Sequence, residues 1–197
     1  MNHFEKCFSR YDTDKVIHGF HIPYEETFFH LRDTVNLVFE IGVWRGGSIR
    51  GFRDYFPNSE VVGLEIKEGK QRLSSPGATV EIGDATDEAF IGRMLSKYGP
   101  PDIVIDDGSH KSSHIKKTFD LLFPATRICY VIEDLGTQRK DYKNGRYIDD
   151  SVPATEIVHH EIEKLMLHRE RQCRSVRVYT SIAFFFKERE DGNRKAD

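Results

Sequence analysis

Short apolar runs alternate with longer stretches of helical periodicity along most of this chain. Residues 35–41 are apolar with one interruption and end at Gly42. A run of that length and β-branched content predicts a buried strand. Gly46-Gly47-Ser48 then opens a predicted helix to about Tyr55, and 61–66 and 78–82 read as two more strands. Thr86 is placed to cap a helix through about Tyr98. Gly99-Pro100-Pro101 ends it. Residues 102–105 give a fourth strand, 111–123 a helix, 127–132 a fifth strand and 153–168 a long helix. The runs 175–180 and 182–186 have almost nothing between them and predict a hairpin. Strands alternating with helices predict an α/β, doubly wound architecture. Its seven-stranded sheet is mostly parallel, with helices on both faces and a C-terminal antiparallel hairpin.

Other segments depart from this alternation. Residues 1–33 are rich in histidine and aromatic side chains and are expected to form an N-terminal cap, with a helix from Pro23 to about Arg32. Residues 135–151 are polar and contain Gly136, Asn144 and Gly145, the profile of a functional loop, here a lid. Residues 188–197 read as a frayed polar tail. The whole, 1–197, is expected to be a single domain.

Charge and cysteine content narrow the function classes. A formal net charge of −3 and the lack of a basic-aromatic stripe argue against nucleic acid as partner. Cys7, Cys129 and Cys173 are odd in number and scattered, so a reducing, cytoplasmic location is expected. No stretch approaches ~18 apolar residues, so no membrane span is expected.

The chemistry-bearing residues gather at predicted strand ends. Glu40-Ile41-Gly42-Val43-Trp44-Arg45-Gly46-Gly47-Ser48 forms the first strand-to-helix turn. Its spacing fits neither GxGxxG nor a P-loop, but glycines before a helix N-terminus suit close approach of an anionic or nucleoside ligand. Glu65 is placed to accept from ribose hydroxyls, and Asp84 to reach an adenine amino group. Two acidic motifs follow, Ile105-Asp106-Asp107-Gly108-Ser109-His110 and Ile132-Glu133-Asp134. Their carboxylates and histidine suffice for a hard divalent cation and a general base. His110 and His114 at helical spacing raise zinc, which the absence of a third nitrogen or sulfur donor nearby disfavours. His159-His160 read as a solvated helix face.

This ordered set resembles class I S-adenosylmethionine-dependent methyltransferases. Thr13-Asp14-Lys15 with Tyr24, Asp106-Asp107-Gly108-Ser109-His110 and Glu133-Asp134 narrow the resemblance. The nearest type is the metal-dependent sugar O-methyltransferases of macrocin and mycinamicin biosynthesis, with their cephalosporin hydroxylase-like relatives. The resemblance implies a Rossmann-like fold. It implies S-adenosylmethionine at Glu40, Gly42, Gly46, Ser48, Glu65, Asp84 and Asp106, with Lys15 and Tyr24 closing over it. It implies a metal at Asp107, Glu133 and Asp134, with His110 as base and Asp107 also counted in the catalytic set. Oxygen-only ligands favour Mg²⁺, with Mn²⁺ as the alternative. The expected reaction is methyl transfer to a hydroxyl of a sugar, such as a deoxyhexose of the rhamnose type, on a glycan or a small glycosylated product. Catechol-type methylation of a vicinal aromatic diol, or a non-catalytic cofactor-binding module of a larger glycan-building protein, are the competing readings. Oligomeric state, and membership of a longer multidomain chain, stay open at this stage.

Overall fold

The computed structural model describes residues 1–150, 152–168 and 172–187. The expected polar tail, 188–197, lies outside the described residues. A seven-stranded sheet has the order β3-β2-β1-β4-β5-β7-β6. The strands are β1 (Leu37–Ile41), β2 (Glu60–Glu65), β3 (Ala78–Ile82), β4 (Ile103–Asp106), β5 (Cys129–Ile132), β6 (Cys173–Tyr179) and β7 (Ile182–Lys187). The first five pair in parallel, and β7 runs antiparallel between β5 and β6. The predicted hairpin is therefore present, with its second strand inserted next to the parallel set and β6 left at the edge.

Alternate residues of β1 serve opposite faces, as pleating requires. Val38 packs with the helices α1 (His3–Phe8), α2 (His21–Phe28) and α3 (Gly47–Tyr55). Leu37, Phe39 and Ile41 pack with α4 (Glu88–Tyr98), α5 (Ser112–Leu122) and α6 (Thr155–Met166). The N-terminal residues form part of the first core. Phe4, Phe8, Tyr24 and Phe28 are fully buried and meet Phe52, Tyr55, Phe56 and Phe184 in an aromatic cluster. Each such ring removed from water contributes roughly 2 kcal/mol. Gly47 permits this closure, since a Cβ there would lie 2.1 Å from the Asp12 carbonyl oxygen.

Several predicted boundaries shift for local reasons. The helix expected from Pro23 begins at His21, with Pro23 inside its first turn where no amide hydrogen is needed, and passes into a 3₁₀ turn at Phe29. The strand expected from 35 begins at Leu37, because the Asn36 amide donates to Asp102 Oδ2 at 2.7 Å. The cap of α4 is Asp87, whose carboxylate accepts from the Ala89 amide. Thr86, expected in that role, bonds to Asp84 instead. The helix expected to reach 168 ends at Met166, with His168 at φ +51° beyond it.

Candidate active site

The strand order reverses between β1 and β4, and the carboxyl ends of these strands frame a cavity of about 460 Å³. Such a switch point is where open α/β sheets bind ligands. One half of the cavity is built by backbone. Gly42 has φ +89°, and a Cβ there would lie 2.4 Å from the Asp107 carbonyl oxygen, so only glycine lets the two loops meet. Gly46, also left-handed, precedes the N-terminus of α3. Glu65 at the end of β2 is buried, with Oε2 accepting from the Val43 amide and Oε1 from the Lys67 amide. Asp84 Oδ1 accepts from the Thr86 amide and hydroxyl, which hold its carboxyl below the usual range. Asp106 closes the floor, accepting from the Thr118 and Tyr130 hydroxyls while burial raises its pKa. Neither hydroxyl partner carries a sequence motif. Their role follows only from α5 and β5 packing beside β4.

The other half is built by charged side chains. Asp107, His110 and Asp134 each offer a ligand atom, all within 4.8 Å of one another. His110 Nε2 lies 3.6 Å from Asp134 Oδ2. All three side chains are about a quarter exposed and open to solvent. Among the described residues this is the one group of three or more such side chains found. The two carboxylates, with room for water or a diol, suit a divalent cation of the magnesium or manganese kind, whereas the imidazole nitrogen beside them is a donor that magnesium seldom takes.

His110 and Asp134 both hold positive φ, at +58° and +55°. Backbone strain of this kind persists only where neighbours over-determine it. Gln138 supplies that constraint at His110. Its Nε2 donates to the His110 carbonyl oxygen at 2.6 Å, while its Oε1 accepts from the Ser112 hydroxyl at 2.7 Å and from the Ala154 amide. Gln138 lies in the segment read as a lid and is buried. The segment is also tied to α5, through Ser112 to Tyr147 and Ser113 to Asp149.

Glu133 is not part of that group but shares the Lys15 ammonium with Asp107. Lys15 Nζ donates to both its oxygens, at 2.8 and 2.9 Å, and to Asp107 Oδ2 at 2.9 Å. The Tyr24 hydroxyl donates to Glu133 Oε1 at 2.5 Å. Glu40 completes the nest, with Oε1 3.4 Å from Lys15 Nζ and Oε2 accepting from Ser48 Oγ. Burial raises Glu40 to about 7 and Glu133 to about 8, against the opposing pull of Lys15. Burial also raises Asp134. Desolvation works to lower Lys15, but the three surrounding carboxylates outweigh it and hold its pKa well above the ordinary value.

The residues expected at the cofactor thus divide. Gly42, Ser48, Glu65, Asp84 and Asp106 line the cavity, whereas Lys15, Tyr24, Glu40 and Gly46 do not. Of the expected metal residues, Asp107 and Asp134 converge and Glu133 does not join them, while His110 does. Thr13, Asp14 and His114 line the cavity as well, with Ser109 Oγ 2.9 Å from His114 Nδ1.

No protein-family model matches the chain. It is 39% identical over 140 residues to the mycinamicin VI 2''-O-methyltransferase of Micromonospora griseorubida, covering 66% of this chain and 35% of that protein. It is 38% identical over 152 residues to a rhamnosyl tetracenomycin-C 2'-O-methyltransferase of Streptomyces olivaceus, covering 72% of this chain and 40% of the relative. Among solved structures, the MycE methyltransferase of the mycinamycin pathway, in complex with Mg, SAH and mycinamycin VI, superposes with a TM-score of 0.84. That match is 30% identical and covers 96% of this chain and 54% of the other. The chain therefore spans about half of that structure, and its matches to the curated relatives span little more than a third of their lengths.

Proposed function

The chain is a homologue of the macrocin- and mycinamicin-type sugar O-methyltransferases, with the Rossmann-like methyltransferase fold, and from that premise we propose that it methylates a sugar hydroxyl, using S-adenosylmethionine and a divalent cation, Mg²⁺ first. One observation carries this reading: Asp107 both lines the large cavity and belongs to the cation-binding cluster. A methyl donor held in the cavity and a hydroxyl held at the cluster would meet at that residue.

Glu65 would accept from the ribose hydroxyls, and Asp84 would face the adenine. Gly42 and Ser48 would hold the amino-acid end of the cofactor, with Gly46 shaping that turn and Glu40 accepting from the Ser48 hydroxyl. Asp106, on the floor of the cavity, would lie beneath the cofactor. Asp107 and Asp134 would hold the metal, with Glu133 in reserve beside them. When bound, the sulfonium cofactor supplies an activated methyl group, and the metal supplies a positive charge that orients a hydroxyl and eases loss of its proton. His110 is the proposed base. It would take up the proton that the acceptor hydroxyl gives up when the methyl group leaves sulfur for oxygen and a neutral thioether remains, and an imidazole is suited to that exchange near neutral pH. Asp134, 3.6 Å from Nε2, can steady the imidazolium that results. The acceptor proposed is a deoxyhexose with vicinal hydroxyls, such as a rhamnosyl group on a small glycosylated product.

The test is methyl transfer from S-adenosylmethionine to a panel of rhamnosylated acceptors and catechols, followed by mass spectrometry with and without a chelator. A methylated sugar that disappears with chelator and returns with Mg²⁺ is expected. Preference for catechols would replace the acceptor class, and turnover indifferent to chelator would remove the metal from the reaction.

A further inference from the structure

Lys15 is a fully buried cation enclosed by more acid than it can neutralise. Its ammonium lies within 3.4 Å of Glu133, Asp107 and Glu40, with the Tyr24 hydroxyl on Glu133 and the Phe52 ring 5.6 Å below. An ammonium has three donor hydrogens. Here they are committed to two carboxylates, one of which, on Asp107, also belongs to the cation cluster. Glu133 precedes Asp134 directly, yet both its oxygens are held by Lys15. The charge that opposes Glu133 in this arrangement is a side chain.

We propose that Lys15 is a resident counter-ion that competes with the divalent cation for Glu133 and Asp107, and so sets the affinity of the site for metal. The inference rests on the cation-dependent reading given above. Like charges repel strongly at such separations in a partly desolvated site. A divalent cation between Asp107 and Asp134 must share the Asp107 carboxylate with the ammonium. It gains Glu133 only when Lys15 lets go. Lys15 also continues the Asp12–Asp14 segment that lines the cavity wall, so the same ammonium ties that wall to the cluster. Lys15 is in these terms a positioning residue: it acts on the metal ligands.

Calorimetric titration of the folded protein with MgCl₂, without cofactor or acceptor, tests this directly. Lys15→Met removes the competitor and frees Glu133, so it should bind Mg²⁺ about tenfold more tightly than wild type, or better. Lys15→Arg keeps the charge and should not share that gain. A residue with a purely structural role would lower the melting temperature of Lys15→Met without tightening metal. Unchanged or weaker Mg²⁺ binding by Lys15→Met therefore overturns the proposal. Should Lys15→Met not fold without metal, wild-type protein carrying ¹⁵N-lysine gives an independent reading. The Lys15 Nζ resonance should move on adding Mg²⁺, and a resonance that stays in place overturns the proposal equally. Failure of the cation-dependent reading looks different, with no Mg²⁺ binding by wild type or by any Lys15 variant. Wild type that binds no Mg²⁺ beside Lys15→Met that does would be competition in its strongest form.

Discussion

The two halves of the strand-end rim achieve a binding surface by opposite means. The β1–β2–β3 half presents backbone: left-handed glycines, a helix N-terminus, and carboxylates of Glu65 and Asp84 already fixed by amide donors. The β4–β5 half presents titratable side chains held by each other, with Lys15 embedded among Glu40, Asp107 and Glu133. A backbone surface has its cost met when the fold closes, because its donors are used whether or not ligand is present. A surface of clustered acids is costly until a cation arrives, since desolvated like charges raise one another's pKa. The first half should therefore tolerate ligand removal, and the second should be sensitive to metal and pH.

The largest effect should come from His110→Ala. Loss of a positioned base lowers kcat by about 100-fold or more. Binding of S-adenosylhomocysteine and of Mg²⁺ should remain near wild type by calorimetry. A parallel loss of Mg²⁺ would make His110 a metal ligand, as its place in the cluster also permits.

A smaller effect concerns pH. Glu40 titrates at about 7 in the folded chain, against an ordinary value of 4.5. The folded state thus binds its proton more tightly than the unfolded state between those values. Stability without metal should fall as pH rises through that window, by about 3 kcal/mol from this group. Urea denaturation at pH 5 and pH 7.5 should show the decline, and Glu40→Gln should flatten it. A wild-type profile that rises across the window would refute the burial of this charge.

The mildest prediction concerns Gln138. Gln138→Ala removes the donor to the His110 carbonyl oxygen, leaves the Ala154 amide without its acceptor and leaves the Ser112 hydroxyl only the Tyr147 carbonyl oxygen. A loss of about 1–2 kcal/mol in stability is expected from the vacated polar groups. A roughly tenfold lower kcat should accompany it as the imidazole loosens, with cofactor affinity unaffected. Equal losses in kcat and in cofactor affinity would instead mean general collapse of the rim.

The same contrast explains what the sequence made legible. The strand periodicity, the glycine turn and the acids at strand ends follow local rules, and each is found where its run of residues predicts. Asp107, Asp134 and His110 converge because two adjacent parallel strands end side by side, which topology alone implies. Lys15 and Tyr24 are expected from the resemblance to close over the cofactor and substrate. Their polar atoms meet Glu133, because α2 and the turn before it pack in the aromatic core beneath the rim. Contacts of this kind span 109 residues for Tyr24 and 118 for Lys15, and no spacing rule reaches that far. Gln138 was hidden for a related reason. It lies in a polar, glycine-containing loop whose composition signals a lid, and only its burial shows that it braces the His110 turn.

The most direct test of two separable halves is calorimetry of Asp107→Ala with S-adenosylhomocysteine and with MgCl₂. Its carboxylate belongs to the acid half, while its backbone meets the glycine turn, the amide donating to the Ile41 carbonyl oxygen and the carbonyl lying against Gly42. Mg²⁺ binding should weaken by about 100-fold or vanish, with S-adenosylhomocysteine affinity kept within about threefold of wild type. Mg²⁺ bound by Asp107→Ala as tightly as by wild type would contradict the assignment of the metal to this rim.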